Sequence, residues 1–197
     1  MTLLDWKERW RNNARLIPSK QEDKQLPFLI NALRDNIDIS KVETVLEVGI
    51  GYGRIAKVLF DLFPNLQRYH GVDISWNAIR QSIEELRKVW KWSPDVKSVY
   101  SWDTIDFEEF ESDRYYDLVI SVETMSCIPE YIDIQPWIDK MCLLSKEYVV
   151  NLDYIQTLNT LHSNKHDYFT AYNMVNLKSV TEISYTRNES LFIYRVL

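Results

Sequence analysis

A chain of 197 residues with 46% hydrophobic and 26% charged residues is long enough for one substantial core and has an ordinary globular composition. Its formal charge of −6 disfavours a nucleic-acid partner, and residues 1–24, with six Lys/Arg against four Asp/Glu, make no basic arm. No run of eighteen apolar residues predicts a membrane span, the first residues lack the layout of a secretory signal, and Cys127 and Cys142 form no metal or disulfide pattern, so a cytoplasmic setting is expected.

Leu3, Trp6, Trp10, Ala14 and Ile17 recur at helical spacing and predict an amphipathic helix within an N-terminal helical extension over 1–40. That helix either packs on the domain or covers a ligand as a lid. Residues 41–197 read as the core of the same single domain, 1–197. Strand-like runs near 43–48, 68–73, 96–101, 116–121 and 146–152 alternate with helical stretches near 54–63, 75–90 and 134–144. Pro64 closes the first of these helices, Ser75 is a natural N-cap for the second, and Ile79, Ile83, Leu86 and Trp90 line one of its faces. Strands alternating with helices of this length mean βαβ units and a mainly parallel sheet with helices on both faces. Val180–Thr186 and Ser190–Leu197, joined through Arg187-Asn188-Glu189, read as a C-terminal antiparallel hairpin.

Of the four glycines, three fall in Val45-Leu46-Glu47-Val48-Gly49-Ile50-Gly51-Tyr52-Gly53, and the fourth, Gly71, stands two residues before Asp73. An apolar run, then Gly-x-Gly-x-Gly, then a helix brings backbone N–H groups and a positive helix end close to a ligand. The third glycine comes one residue too early for the dinucleotide fingerprint, and Arg54 stands where that fingerprint wants glycine. No G-K-[ST] follows, so this is not a phosphate loop. Glu47 would repel a pyrophosphate and suits a ligand with a cationic amino group.

Glu47 to Gly53 resembles the first motif of the class I S-adenosylmethionine-dependent methyltransferases position for position, and the likeness extends over roughly 40–197. The resemblance implies a seven-stranded sheet whose last strand, with the apolar run Leu191-Phe192-Ile193-Tyr194, lies inside the sheet. It implies S-adenosylmethionine as cofactor, the methionine part over Gly49, Gly51, Tyr52 and Gly53 with Glu47 near its ammonium. Asp73, twenty residues past Gly53, matches the acid that takes the ribose hydroxyls, and Ile74 would flank the adenine. Asp103, with Trp102 before it, matches the acid facing the adenine amino group. Tyr116–Ser121 is similar to the strand under the methyl group, which puts Ser121 in the cofactor set. The stretch from Glu123 to Pro129 resembles a Glu-x-x-x-His-Ile-Pro motif of small-molecule members, with Cys127 where they carry His.

Glu123 could orient an acceptor or simply start a helix. His162 and His166 stand four apart, a zinc spacing without a third ligand, so no metal site is expected. Either histidine could serve as a general base or be a solvated loop residue. Both sit in the segment from Asp153 to Asn176, past strand five, where open α/β sheets bind ligands. His70 reads as a satisfied core residue and Asp117 as structural. The expected function is methyl transfer to a small-molecule O or N acceptor. The alternatives are protein methylation and a cofactor-binding module that transfers nothing. Acceptor identity, oligomeric state and pathway are not encoded in any motif.

Overall fold

The computed structural model describes residues 3–11, 22–89, 99–129, 132–154, 177–185 and 189–196. Among the described residues five α-helices, α1 (Leu3–Arg11), α2 (Glu22–Asn36), α3 (Arg54–Leu62), α4 (Trp76–Val89) and α5 (Gln135–Leu144), accompany seven strands. These are β1 (Thr44–Val48), β2 (Arg68–Asp73), β3 (Val99–Thr104), β4 (Tyr116–Val122), β5 (Ser145–Tyr154), β6 (Leu177–Ser184) and β7 (Glu189–Val196). They form one sheet in the order β3-β2-β1-β4-β5-β7-β6. The pairs from β3 to β5 are parallel, and β7 runs antiparallel between β5 and β6.

Alternation along the strands explains the two-layered core. Val45, Leu118, Ile120, Val150 and Ile193 face α2, α3 and α4, where Leu29, Leu33, Ile55, Leu59 and Ile79 meet them. Leu46, Val48, Val119, Val149, Phe192 and Tyr194 face the other way, onto Phe107, Phe110 and the Trp137, Ile138 and Met141 of α5. Strands covered on both faces read as unbroken apolar runs, which is why β1 and β4 stand out in the sequence.

Several boundaries differ from expectation. β3 extends to Thr104 because Trp102, Asp103 and Thr104 continue the register against Gly71, Val72 and Asp73. Glu189 belongs to β7, opposite Tyr154, rather than to the hairpin turn. α2 is a core helix with Leu29 and Leu33 fully buried, although Pro27 lies inside it. Trp10 packs against the α5-side cluster; Ala14, Ile17 and Trp90 lie outside the described residues, as do His162 and His166.

Two sequence readings hold at the periphery. Asp117 accepts from Glu43 N, Thr44 N, Thr44 Oγ1 and Lys146 Nζ at 2.8–3.0 Å, tying β4 to the start of β1 at the edge away from the glycine loop. His70 bonds Tyr116 Oη through Nδ1 at 3.0 Å and Asp103 Oδ2 through Nε2 at 2.9 Å.

Candidate cofactor and active site

β1 has β2 on one side and β4 on the other, so the strand order reverses there and a crevice opens outside the carboxyl ends. The glycine loop fills its floor. Gly49, Gly51 and Gly53 have φ of +75°, +56° and +82°, values that other residues adopt only with strain. Gly49 N and Ile50 N both donate to Val72 O, at 2.8 and 3.1 Å, which hangs the loop on the end of β2. Space is short as well as twisted: a Cβ on Gly49 would stand 2.8 Å from Thr124 Cβ, and one on Gly71 would stand 2.6 Å from Ile50 Cδ1.

Asp73 sits at the end of β2 and grips the loop from beneath. Its Oδ2 accepts from Gly51 N at 3.0 Å and its Oδ1 from Ser75 N at 2.8 Å. Burial holds its pKa above the usual carboxylate value, partly offset by those two N–H groups. Ser75 Oγ in turn accepts from Ala78 N at 3.3 Å, the predicted cap of α4. Ile74 is half-buried between them.

Glu47 lies deeper than a surface ligand group. It is 2% exposed, on the sheet face that carries α3, and its Oε2 accepts from Tyr69 Oη at 2.6 Å. Burial pushes its pKa up to about 8, against the opposing pull of the Tyr69 hydrogen bond and Arg54. At neutral pH this carboxyl is largely protonated, so it supports the loop from below as a neutral hydrogen-bonding group.

The other expected contacts are spread along the same edge. Tyr52 is half-buried at the loop tip, and Ser121 is fully buried in β4 beside Val48. Trp102 pairs with Gly71 and packs toward the α3 and α4 side. Asp103 is half-exposed with its carboxylate on His70. Three residues past it, Asp106 is buried and ion-paired at 2.6 Å with Lys7 of α1, and Lys7 also reaches Glu108 at 2.6 Å. The first helix is thereby fixed to the loop after β3.

Beyond β4 the sequence reading missed a connected polar group. Glu123 has φ +54° and bonds both Gln25 and Arg54. Gln25, 1% exposed, also reaches Glu189, which is buried at the start of β7. Asp153 at the end of β5 is buried and accepts from Met125 N at 3.0 Å and Ser126 N at 3.1 Å, capping the 3-10 turn Met125–Cys127. Burial, with Asp153 and Glu123 nearby, pushes the Cys127 thiol pKa far up, so Cys127 is no thiolate nucleophile. Among the described residues no group of three or more His, Cys, Asp or Glu could hold a metal ion, and no helix is long and apolar enough to cross a membrane.

Solved structures share this architecture. The N-methyltransferase NodS from Bradyrhizobium japonicum WM9, in complex with S-adenosylhomocysteine, matches with a TM-score of 0.69 at 17% identity, over 98% of this chain and 97% of that one. The magnesium protoporphyrin IX methyltransferase ChlM from Synechocystis PCC 6803, with bound S-adenosylhomocysteine, matches with a TM-score of 0.67 at 12% identity, over 97% of this chain and 93% of that one. The fold is that of the class I S-adenosylmethionine-dependent methyltransferases. No family model matches the chain. A curated relative, the "tRNA1(Val) (adenine(37)-N6)-methyltransferase" of Proteus mirabilis (strain HI4320), is 31% identical over 83 residues, 42% of this chain. The match spans about a third (32%) of that relative's length. In this methyltransferase fold the glycine loop, Asp73 and the post-β4 loop converge on one crevice at the β1/β4 switch point.

Proposed function

We propose that this chain binds S-adenosylmethionine and transfers its methyl group to a small-molecule O or N acceptor. The observation that carries the reading is the Gly49–Gly53 loop, three left-handed glycines hung on Val72 O and gripped by the Asp73 carboxylate at the point where strand order reverses. The cradle fits the cofactor's parts. Asp73 keeps lone pairs for a ribose diol, Ile74 offers an apolar wall to adenine, and the Gly51 and Gly53 backbone can approach a methionine tail closely. Asp103 or the adjoining buried Asp106 would take the adenine amino group.

Bound there, the sulfonium supplies a methyl group already activated for transfer. The chain's task is alignment of nucleophile, methyl and sulfur, together with exclusion of water. α1, anchored through Lys7 to Asp106 and Glu108, lies at the edge where the cofactor would be covered. Glu123 follows the carboxyl end of β4, on the side of the site where donor and acceptor would meet. Removal of the acceptor's proton falls to the segment from Asp153 to Asn176, with His166 preferred over His162, and His166→Ala should then lower turnover by about 10²–10⁴-fold. The two free cysteines, Cys127 and Cys142, suit a reducing, cytoplasmic setting.

A tRNA acceptor is the second reading, favoured by the 83-residue likeness to the Proteus enzyme and opposed by the net charge of −6. Calorimetry with S-adenosylmethionine and S-adenosylhomocysteine tests the cofactor. Labelled methyl transfer into a small-metabolite pool, bulk tRNA and a protein extract then separates the acceptors. Label entering only tRNA overturns the small-molecule reading, and cofactor binding without transfer into any pool leaves a non-catalytic module.

A further inference from the structure

Three chain segments far apart in sequence end at one corner of the crevice. Gln25 comes from the early part of α2, Arg54 opens α3 directly after Gly53, and Glu123 follows β4. Gln25 Nε2 donates to Glu123 Oε1 at 2.8 Å and to Glu189 Oε1 at 3.2 Å, while Gln25 Oε1 accepts from Arg54 Nη1 at 3.2 Å. Arg54 Nη2 donates to Glu123 Oε2 at 3.2 Å. The amide orientation follows from chemistry, since ionised carboxylates only accept and a guanidinium only donates. Each Glu123 oxygen therefore meets a donor from another element, and these contacts define the carboxylate's placement. Its side chain is 20% exposed, against 10% for Arg54, so part of the carboxylate is open to an incoming ligand. The glycine loop brackets it: Arg54 adjoins Gly53, and the next residue, Thr124, lies against Gly49.

We propose that Glu123 reads the charge of the methyl donor, favouring the cationic sulfonium of S-adenosylmethionine over the neutral thioether of S-adenosylhomocysteine, with Gln25 and Arg54 as positioning residues. This rests on the cofactor assignment under Proposed function and deepens it. In the transfer, the carbon–sulfur bond breaks with its electron pair left on sulfur while the acceptor's lone pair forms the new bond to carbon. The sulfonium becomes an uncharged thioether, and the acceptor gives up a proton to become neutral again. Glu123 then faces a ligand that has lost its charge, so the attraction that held the substrate no longer holds the product. A carboxylate that faces a cation in an environment of effective dielectric about 20, partly offset by Arg54, corresponds to roughly a tenfold preference.

The test needs no acceptor. Calorimetry of the full chain would compare S-adenosylmethionine, S-adenosylhomocysteine and sinefungin, an analogue with an amine-bearing carbon in place of the methylated sulfur. The wild type should bind the two cations at least about tenfold more tightly than S-adenosylhomocysteine. Glu123→Gln, which keeps shape and hydrogen bonding, should bring that ratio near one with S-adenosylhomocysteine affinity unchanged. Gln25→Met should lower the ratio by a smaller factor, again sparing S-adenosylhomocysteine. A flat ratio in the wild type, a ratio that survives Glu123→Gln, or a variant that weakens all three ligands alike overturns the proposal. Binding of all three with a flat ratio leaves the cofactor assignment standing, whereas binding of none removes that assignment and this inference with it.

Discussion

Replacing Gly49 with alanine sets two costs against each other in one residue. The left-handed φ of +75° costs an L side chain about 1–2 kcal/mol by itself. The added methyl would also meet Thr124, whose Cβ stands 2.8 Å from its position, and Thr124 belongs to the post-β4 loop whose backbone cannot move freely. Moving that side chain breaks its one Oγ1–H donation, shared between Val48 O and Val122 O at 3.2 Å, at about 0.5–1.5 kcal/mol. Together the change should cost about 1.5–3.5 kcal/mol, against total stabilities of about 5–15 kcal/mol. In a chain of this size that lowers the melting midpoint on the order of 5–15 °C. Thr124→Gly removes the obstructing atoms, so the double variant should be less destabilised than the sum of the two singles. Urea titration of all four proteins gives the coupling, and calorimetry with S-adenosylhomocysteine shows whether the loop still binds. A Gly49→Ala protein that loses no more than the backbone cost, or strictly additive singles, would refute the claim that Thr124 closes this space.

The remaining expectations concern charge and the sheet. Glu47 has a folded-state pKa of about 8 against 4.5 unfolded, so the folded chain holds a proton that the unfolded chain has released. Stability should therefore fall as pH rises from about 4.5 to 8, by at most about 1.4 kcal/mol per pH unit from this group, and Glu47→Gln should flatten that part of the curve; an unchanged slope by urea titration refutes it. Asp73→Asn should weaken S-adenosylhomocysteine binding by about 10–100-fold, because a charge-assisted acceptor for a ribose hydroxyl becomes neutral; unchanged calorimetric affinity removes Asp73 from the cofactor set. Deleting residues 189–197 removes β7 from between β5 and β6, with buried Leu191, Phe192, Ile193 and Tyr194. At roughly 1.5–3 kcal/mol per side chain the loss is comparable to the whole stability, so a soluble truncation with a cooperative melt would show β7 to be dispensable.

The parts legible in the sequence were those where backbone geometry or two-sided burial restricts residue type. Gly49, Gly51 and Gly53 announced the loop because their positive φ leaves few other choices, and β1, β4 and β7 announced themselves because both their faces are covered. α2 fell within the helical extension expected over 1–40 but was not delimited there, and Pro27 lies inside it. The burial of Leu29, Ala32 and Leu33 against the sheet holds the helix regardless. The seating of Glu47 was hidden for a different reason: an acid two residues before a glycine loop looks like a ligand group, and no local pattern announces its burial. Strand alternation sends it instead to the α3 face, beneath Tyr69.

Gln25, Arg54, Glu123 and Glu189 show where reading by local pattern stops. Their bonds join residues 98, 164, 29 and 69 positions apart, so no window of the chain contains two of the partners at any helical or strand period. Glu189 even has the residue type of a turn, and Gln25 sits in a run of charged residues that reads as solvated. What makes them a site is that α2, α3, β4 and β7 each have an end at the same end of the sheet, which only the strand order decides. Polar residues are tolerated there because each meets a partner from another element. Substituting any one of them should therefore change the properties of the others more than its own local structure, and double-variant coupling, not single-variant stability, is the measurement that can detect the group.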